Sequence, residues 1–130
     1  MTGNRIALDT NEAIAVLNDS GNAGQWVTAY AAVHLPVTVV GELRFGAMNS
    51  RRAGENRQRV EALVACCTVL EVNVTTADVY ATVRLGLKQA GKPIPENDVW
   101  IAALCIQHGL PLASADEHFA HVSGLELVKR

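Results

Sequence analysis

Four carboxylic acids, Asp9, Glu42, Asp98 and Asp116, lie far apart in a sequence of 130 residues, yet each stands beside a stretch that reads as a strand end or a helix start. Brought within a few ångströms of one another, four carboxylates repel strongly. Either some stay protonated or a cation neutralises them. Hard oxygen ligands of this kind suit Mg²⁺ or Mn²⁺. Such ions activate water and steady the departing oxygen when a phosphodiester is hydrolysed. Taken singly, each acid has a plainer explanation. Asp9 reads as a strand-end cap, Glu42 as a first-turn acid favoured by the helix dipole, Asp98 as a cap or first-turn residue, and Asp116 as a turn aspartate. Joint placement is what makes them a candidate site, and placement depends on the elements that carry them.

Ile6-Ala7-Leu8 reads as a short buried strand with Asp9 directly after it, and Thr10 or Asn11 caps a helix from Glu12 to Leu17. Asn18 to Asn22 is a turn cluster, and Ala23 to Val33 reads as helix. Pro36 opens a second strand, Val37 to Val40, followed by Gly41 to Met48 as a short helix carrying Glu42. Arg57 to Ala65 is helical and Thr68 to Val74 is a strand. Thr75 caps the next helix, whose Val79, Val83 and Leu87 recur at i, i+4 and i+8, and Gly91 ends it. Asn97 to His108 is a helix apolar on most faces, closed by Gly109; Asp98 stands at its start. Leu110 to Ser114 is a fourth strand with Asp116 two residues beyond, Glu117 to Val122 a helical turn, and Leu125 to Val128 a last strand. Strands alternating with helices predict an α/β fold: a mostly parallel sheet with helices on both faces. Ligands of such sheets gather beyond the carboxyl ends of the strands, where strand order reverses. All four acids are expected at that end.

The composition bounds the setting. Residues are 49% hydrophobic and 18% charged, a globular balance, and the length predicts a single domain over residues 1–130. A formal net charge of −2 argues against a protein that coats polyanions generally, but phosphate contact needs only a local basic patch. Three cysteines, Cys66, Cys67 and Cys105, show no framework spacing and no CxxC pair, which points to reduced thiols and away from a thiolate zinc site. With no leader pattern and no apolar run near the roughly 18 residues of a membrane span, a cytoplasmic protein without membrane contact is expected.

The segments LDTN (Leu8 to Asn11), VVGELRFGA (Val39 to Ala47), PIPENDVWIAA (Pro93 to Ala103) and HGLPLASADEHFAHVSGLEL (His108 to Leu127) together resemble the motifs of PIN-domain proteins, in that family's order and spacing. The similarity is greatest to VapC-type toxins of bacterial toxin–antitoxin pairs. It implies a PIN-like three-layer α/β/α sandwich and a metal-dependent ribonuclease held inactive by a cognate antitoxin, as a homodimer. Asp9, Glu42, Asp98 and Asp116 match the family's acidic cluster. Thr10, Asn11, Asn97 and Ser114 match its supporting polar positions. Two departures stand out: Glu12 sits where an apolar residue is usual, adding charge near the site, and Ser114 replaces the commoner threonine.

On this reading Asp9, Asp98 and Glu42 hold a first Mg²⁺ or Mn²⁺, and Asp116 completes the cluster or helps with a second. Water then attacks phosphorus in line and leaves a 5′-phosphate. The α-helix N-terminus at Asn97 adds free N–H groups. Arg44, Arg51, Arg52, Arg57 and Arg59 crowd the span 44–59, opposed there only by Glu55. They are read as a rim for RNA phosphate or for acidic antitoxin residues, with Arg44, Arg51 and Arg52 as the named candidates. Gly86 to Pro93 nearly spells a phosphate loop, but Pro93 stands where the Ser/Thr belongs. His118 and His121 lack further zinc ligands and read as surface residues. Receiver-type signalling would need an acceptor aspartate after the third strand, where Thr75 and Thr76 stand. The alternative is a PIN-fold module that binds a protein or RNA without cleaving.

Overall fold

The computed structural model describes residues 4–130 and arranges them around a five-stranded, wholly parallel sheet. The strands are β1 (Arg5–Leu8), β2 (Ala32–Pro36), β3 (Thr68–Leu70), β4 (Leu112–Ala113) and β5 (Leu127–Val128), in the spatial order β3-β2-β1-β4-β5. The chain steps from β1 to β2 to β3 in one direction, then returns to place β4 on the other side of β1. Strand order therefore reverses between β1 and β4, where Ala7 pairs with Leu112 and Leu8 with Ala113. Ile6, Ala7, Leu8 and Leu112 are fully buried, as expected of central parallel strands covered on both faces.

Six α-helices complete the layers: α1 (Thr10–Asn18), α2 (Ala23–Val27), α3 (Val37–Met48), α4 (Ala53–Cys66), α5 (Val74–Gln89) and α6 (Glu96–His108). α1 packs on α3 and α3 on α4, while α5 packs along α6. α6 is the most deeply set. Ile101 to Cys105 are at most 1% exposed, so the helix that carries Asp98 is anchored by its whole middle turn. Gly109 ends it with φ +64°, a left-handed conformation that glycine adopts without a Cβ clash.

Several boundaries differ from the sequence expectations: the third strand ends at Leu70, with Val74 already in α5, and the fourth is confined to Leu112–Ala113. The second strand is Ala32–Pro36, not Val37 to Val40. Pro36 closes that strand and, at φ −53°, starts α3, whose first residues are Val37 to Val40. The β-branched run is helical because Val39 and Val40 bury against the core, a packing gain that outweighs local preference. The helix expected over Ala23 to Val33 stops at Val27 for the same reason: Ala32 and Val33 pair with β1. The cap assignments shift as well. Asp9 itself caps α1 rather than Thr10 or Asn11, and Asn73, rather than Thr75, caps α5 in a reciprocal capping box with Thr76. Among the described residues no helix is long and apolar enough to cross a membrane.

Candidate active site

Asp9 leaves the carboxyl end of β1 at the point of strand reversal and is 5% exposed. One carboxylate oxygen accepts the Glu12 backbone N–H at 2.8 Å, capping α1; the other accepts the Ser114 hydroxyl. Ser114 follows β4, is 1% exposed, and also accepts the Asp116 backbone N–H at 3.0 Å. One buried hydroxyl thus fixes the first acid and the loop that carries the last. Asp9 serves both as a cap and as a member of the cluster.

Asp98 caps nothing. The N-cap position of α6 is Pro95, which makes no side-chain cap, and Asp98 lies within the first turn with its side chain 19% exposed. It meets Asp116 and His118, and the three side chains bring one ligand atom each within 4.8 Å of one another. His118 Nδ1 lies 3.1 Å from Asp116 Oδ1 and 3.6 Å from Asp98 Oδ2. The same Asp116 oxygen accepts the His118 backbone N–H at 2.9 Å. That grouping includes neither Asp9 nor Glu42, which stands in the second turn of α3. Its Oε1 accepts Thr10 Oγ1 at 2.9 Å and the Asn97 side-chain amide, leaving Oε2 without a protein hydrogen bond among the described residues.

Thr10 and Asn97 each hydrogen-bond Glu42, and Ser114 hydrogen-bonds Asp9. Asn11 is exposed and makes no such bond among the described residues. His118 belongs with the acids although its sequence context marked it only as a surface residue. The signal for it was its place two residues after Asp116 in a turn. Glu12, the added charge, is buried and ion-paired with Arg130, with Nε to Oε2 at 2.9 Å.

The electrostatics agree with the geometry. Burial, before any other cause, holds the Asp9 carboxyl above its ordinary value; the Ser114 and Glu12 hydrogen bonds pull it down, while the charges of Glu12 and Asp116 push it up. Burial likewise raises Asp98, followed by the Asp116 charge, with His118 opposing and Asp9 and Glu42 adding to the rise. The charges of the other three acids are thus felt at Asp98. Converging carboxylates that carry unpaired oxygens and resist ionisation fit a hard divalent cation, which would relieve both effects.

The arginine rim is less open than the sequence suggested. Arg44 is held by Glu61 through two nitrogens, Nε at 3.0 Å and Nη2 at 2.8 Å, and Arg57 joins the same carboxylate at 3.0 Å. Arg52 lies 3.7 Å from Glu55. Arg59 ties α4 to α1 through the Leu17 carbonyl and Asn18. Arg51 is exposed, and it makes no ion pair among the described residues.

Comparison with known proteins adds an independent line. A family profile described as the PIN domain matches residues 6–125. The chain is 31% identical over 124 residues to ribonuclease VapC5 of Mycobacterium tuberculosis, covering 94% of this chain and 90% of that protein. Its fold superposes with a TM-score of 0.90 on the structure of VapBC2 from Rickettsia felis bound to a DNA fragment from its promoter, at 20% identity over 97% of this chain and 98% of that one. VapBC-5 from Mycobacterium tuberculosis, a member of the VapBC family of toxin–antitoxin systems, matches at TM-score 0.77 and 24% identity over 98% and 99% of the two chains.

Proposed function

The chain belongs to the PIN-domain family, and from that membership we infer that it is a VapC-type ribonuclease, the toxin of a toxin–antitoxin pair, hydrolysing RNA phosphodiester bonds at Asp9, Glu42, Asp98 and Asp116. What supports the site assignment is the hydrogen-bonded link from Asp9 at the end of β1 through Ser114 to the Asp116 backbone, beside the grouping of Asp116 with Asp98 and His118, where Asp98 has no capping duty to explain it.

A bound divalent cation supplies charge neutralisation for the phosphate and a lowered pKa for the attacking water. Asp9, Asp98 and Asp116 would hold it, with Glu42 reaching in through its free oxygen. Mg²⁺ suits the carboxylates, and the nearby His118 nitrogen makes Mn²⁺ at least as good a fit. The protein's own part is to hold these oxygens still before substrate arrives. Ser114 and the Glu12 N–H orient Asp9, Thr10 and Asn97 orient Glu42, and buried α6 fixes Asp98. The N-terminus of α6, which carries Asp98 in its first turn, favours the anionic phosphate.

An antitoxin partner fits a groove of about 280 Å³ between α1, α3 and α4. Ile14, Leu17, Leu43 and Ala47 line it, Glu42 stands at its edge, and Phe45 and Met48 are exposed nearby. Such a surface accepts the apolar face of a partner helix while placing partner side chains beside the acids. A homodimer and a cytoplasmic setting accompany this reading; Cys66, Cys67 and Cys105 are free thiols.

The direct test is degradation of single-stranded RNA by the purified, antitoxin-free chain with Mg²⁺ or Mn²⁺. Asp98→Asn is expected to abolish it with folding intact. A wild type inert on every RNA class, with either metal, would return the binding-module reading.

A further inference from the structure

Glu12 is a carboxylate beside the candidate metal site that takes no part in it. Its backbone N–H donates to Asp9, yet its side chain is engaged by Arg130, with Nε to Oε2 at 2.9 Å and Nη2 to Oε1 at 3.4 Å. The guanidinium is itself cradled: Nη1 donates to the Gly21 carbonyl at 2.9 Å. Gly21 has φ +57°, and a Cβ there would stand 3.0 Å from Arg130 Nη1. The side chains of Glu12 and Arg130 are 11% and 22% exposed, so neither charge is compensated mainly by water. A carboxylate one helical turn from Asp9 acts on the same cation as the four acids unless an adjacent charge cancels it.

We propose that Arg130 is a positioning residue for the metal site: by binding Glu12 in a neutral pair it keeps a fifth acid out of the cluster of Asp9, Glu42, Asp98 and Asp116, and so sets how tightly the cluster takes a divalent cation. This rests on the metal-site reading above. It assigns the pair a sign as well as a role. Removing Arg130 leaves a net negative charge beside the site and tightens cation binding. Removing the Glu12 charge leaves a net positive one and weakens it. A pair that merely held the fold together would loosen the site from either side.

The test is calorimetric titration of the full chain with Mn²⁺. Asp98→Asn is expected to lose binding, which checks the site. Arg130→Met is expected to bind about threefold to tenfold tighter than wild type and Glu12→Gln weaker by a similar factor, for unit charges near a partly screened site. The double variant should return to within about twofold of wild type, its net charge being restored. Arg130→Lys is expected to keep wild-type affinity while melting earlier, because an ammonium cannot reproduce the two-nitrogen contact. Should Arg130→Met fail to fold, Glu12→Gln against Arg130→Lys decides: weakened and unchanged affinity support the proposal, and equal affinities overturn it. Shifts of the same sign in Arg130→Met and Glu12→Gln, or no shift in either, also overturn it. Binding that survives Asp98→Asn undiminished overturns the site reading instead.

Discussion

Ser114 donates its hydroxyl to Asp9 across the boundary between β4 and β1, and accepts the Asp116 backbone N–H with the same oxygen. One side chain therefore fixes two acids 107 positions apart in the numbering. Ser114→Ala leaves Asp9 with a single protein donor and frees the Asp116 loop. Losing such a supporting partner costs about 10–100-fold in metal affinity, and that loss is expected in an Mn²⁺ titration, whereas Ser114→Thr should keep most of it. An alanine variant with wild-type affinity would show that the hydroxyl serves only the fold.

Asp9 and Asp98 should separate on stability. Asp98→Asn removes a buried, raised carboxyl with no cap to lose, so in EDTA the variant should melt later, by roughly 4 °C for each ~1 kcal/mol of repulsion relieved. Asp9→Asn keeps an N-cap, while Asp9→Ala loses about 1 kcal/mol of capping and should melt earlier. All three should be inactive on RNA. Thermal melts and a cleavage assay on the same preparations decide the matter; a destabilised Asp98→Asn would speak against convergence.

Adding metal should raise the melting temperature of the wild type. Saturation at 100 times the dissociation constant corresponds to about 2.7 kcal/mol of stabilisation, reversed by EDTA. Asp98→Asn should show almost none of it.

Acidity should affect stability and metal binding in opposite directions. Asp9 and Asp98 both have folded pKa values raised above 3.8, by burial first and then by their charged neighbours. Between 3.8 and those raised values the native state holds protons that the unfolded chain has released, so unfolding stability falls as pH rises through the window. Denaturant titrations in EDTA should show this slope as the difference between wild type and Asp98→Asn. Over the same window protons compete with the cation, so Mn²⁺ affinity should fall as pH is lowered.

The rim arginines should differ in kind. Arg51 is exposed without an ion pair, so Arg51→Ala should weaken RNA binding and flatten its salt dependence by about one counterion. Arg44 already satisfies Glu61 with two nitrogens. Arg44→Ala should loosen the contact between α3 and α4 more than it weakens RNA, read from melting curves beside a binding isotherm at two salt concentrations.

The elements that carry Asp9 and Asp98 were legible in the sequence. Leu8 closes a strand buried over Ile6 to Leu8, and Gly109 marks the end of the helix that carries Asp98 in its first turn. What the sequence concealed came from tertiary contacts. Val37 to Val40 carries strand-like residues but turns helical to bury Val39 and Val40, which moves Glu42 from the first turn of its helix to the second turn of α3. His118 gave no periodic signal, since a 3-10 turn places it. The Glu12–Arg130 pair spans 118 positions, and no local pattern reports such a contact.

The adjacency of β1 and β4 has a consequence for the chain as it is made. Residues 7 and 8 find their β4 neighbours only when residues 112 and 113 have been synthesised, and the hydroxyl that orients Asp9 comes one residue later still. Contacts of such long sequence separation form late, because the loop entropy must be overcome first. A nascent polypeptide that has not yet released residues 112 to 116 therefore lacks the strand and the hydroxyl that set Asp9, and with them the assembled site.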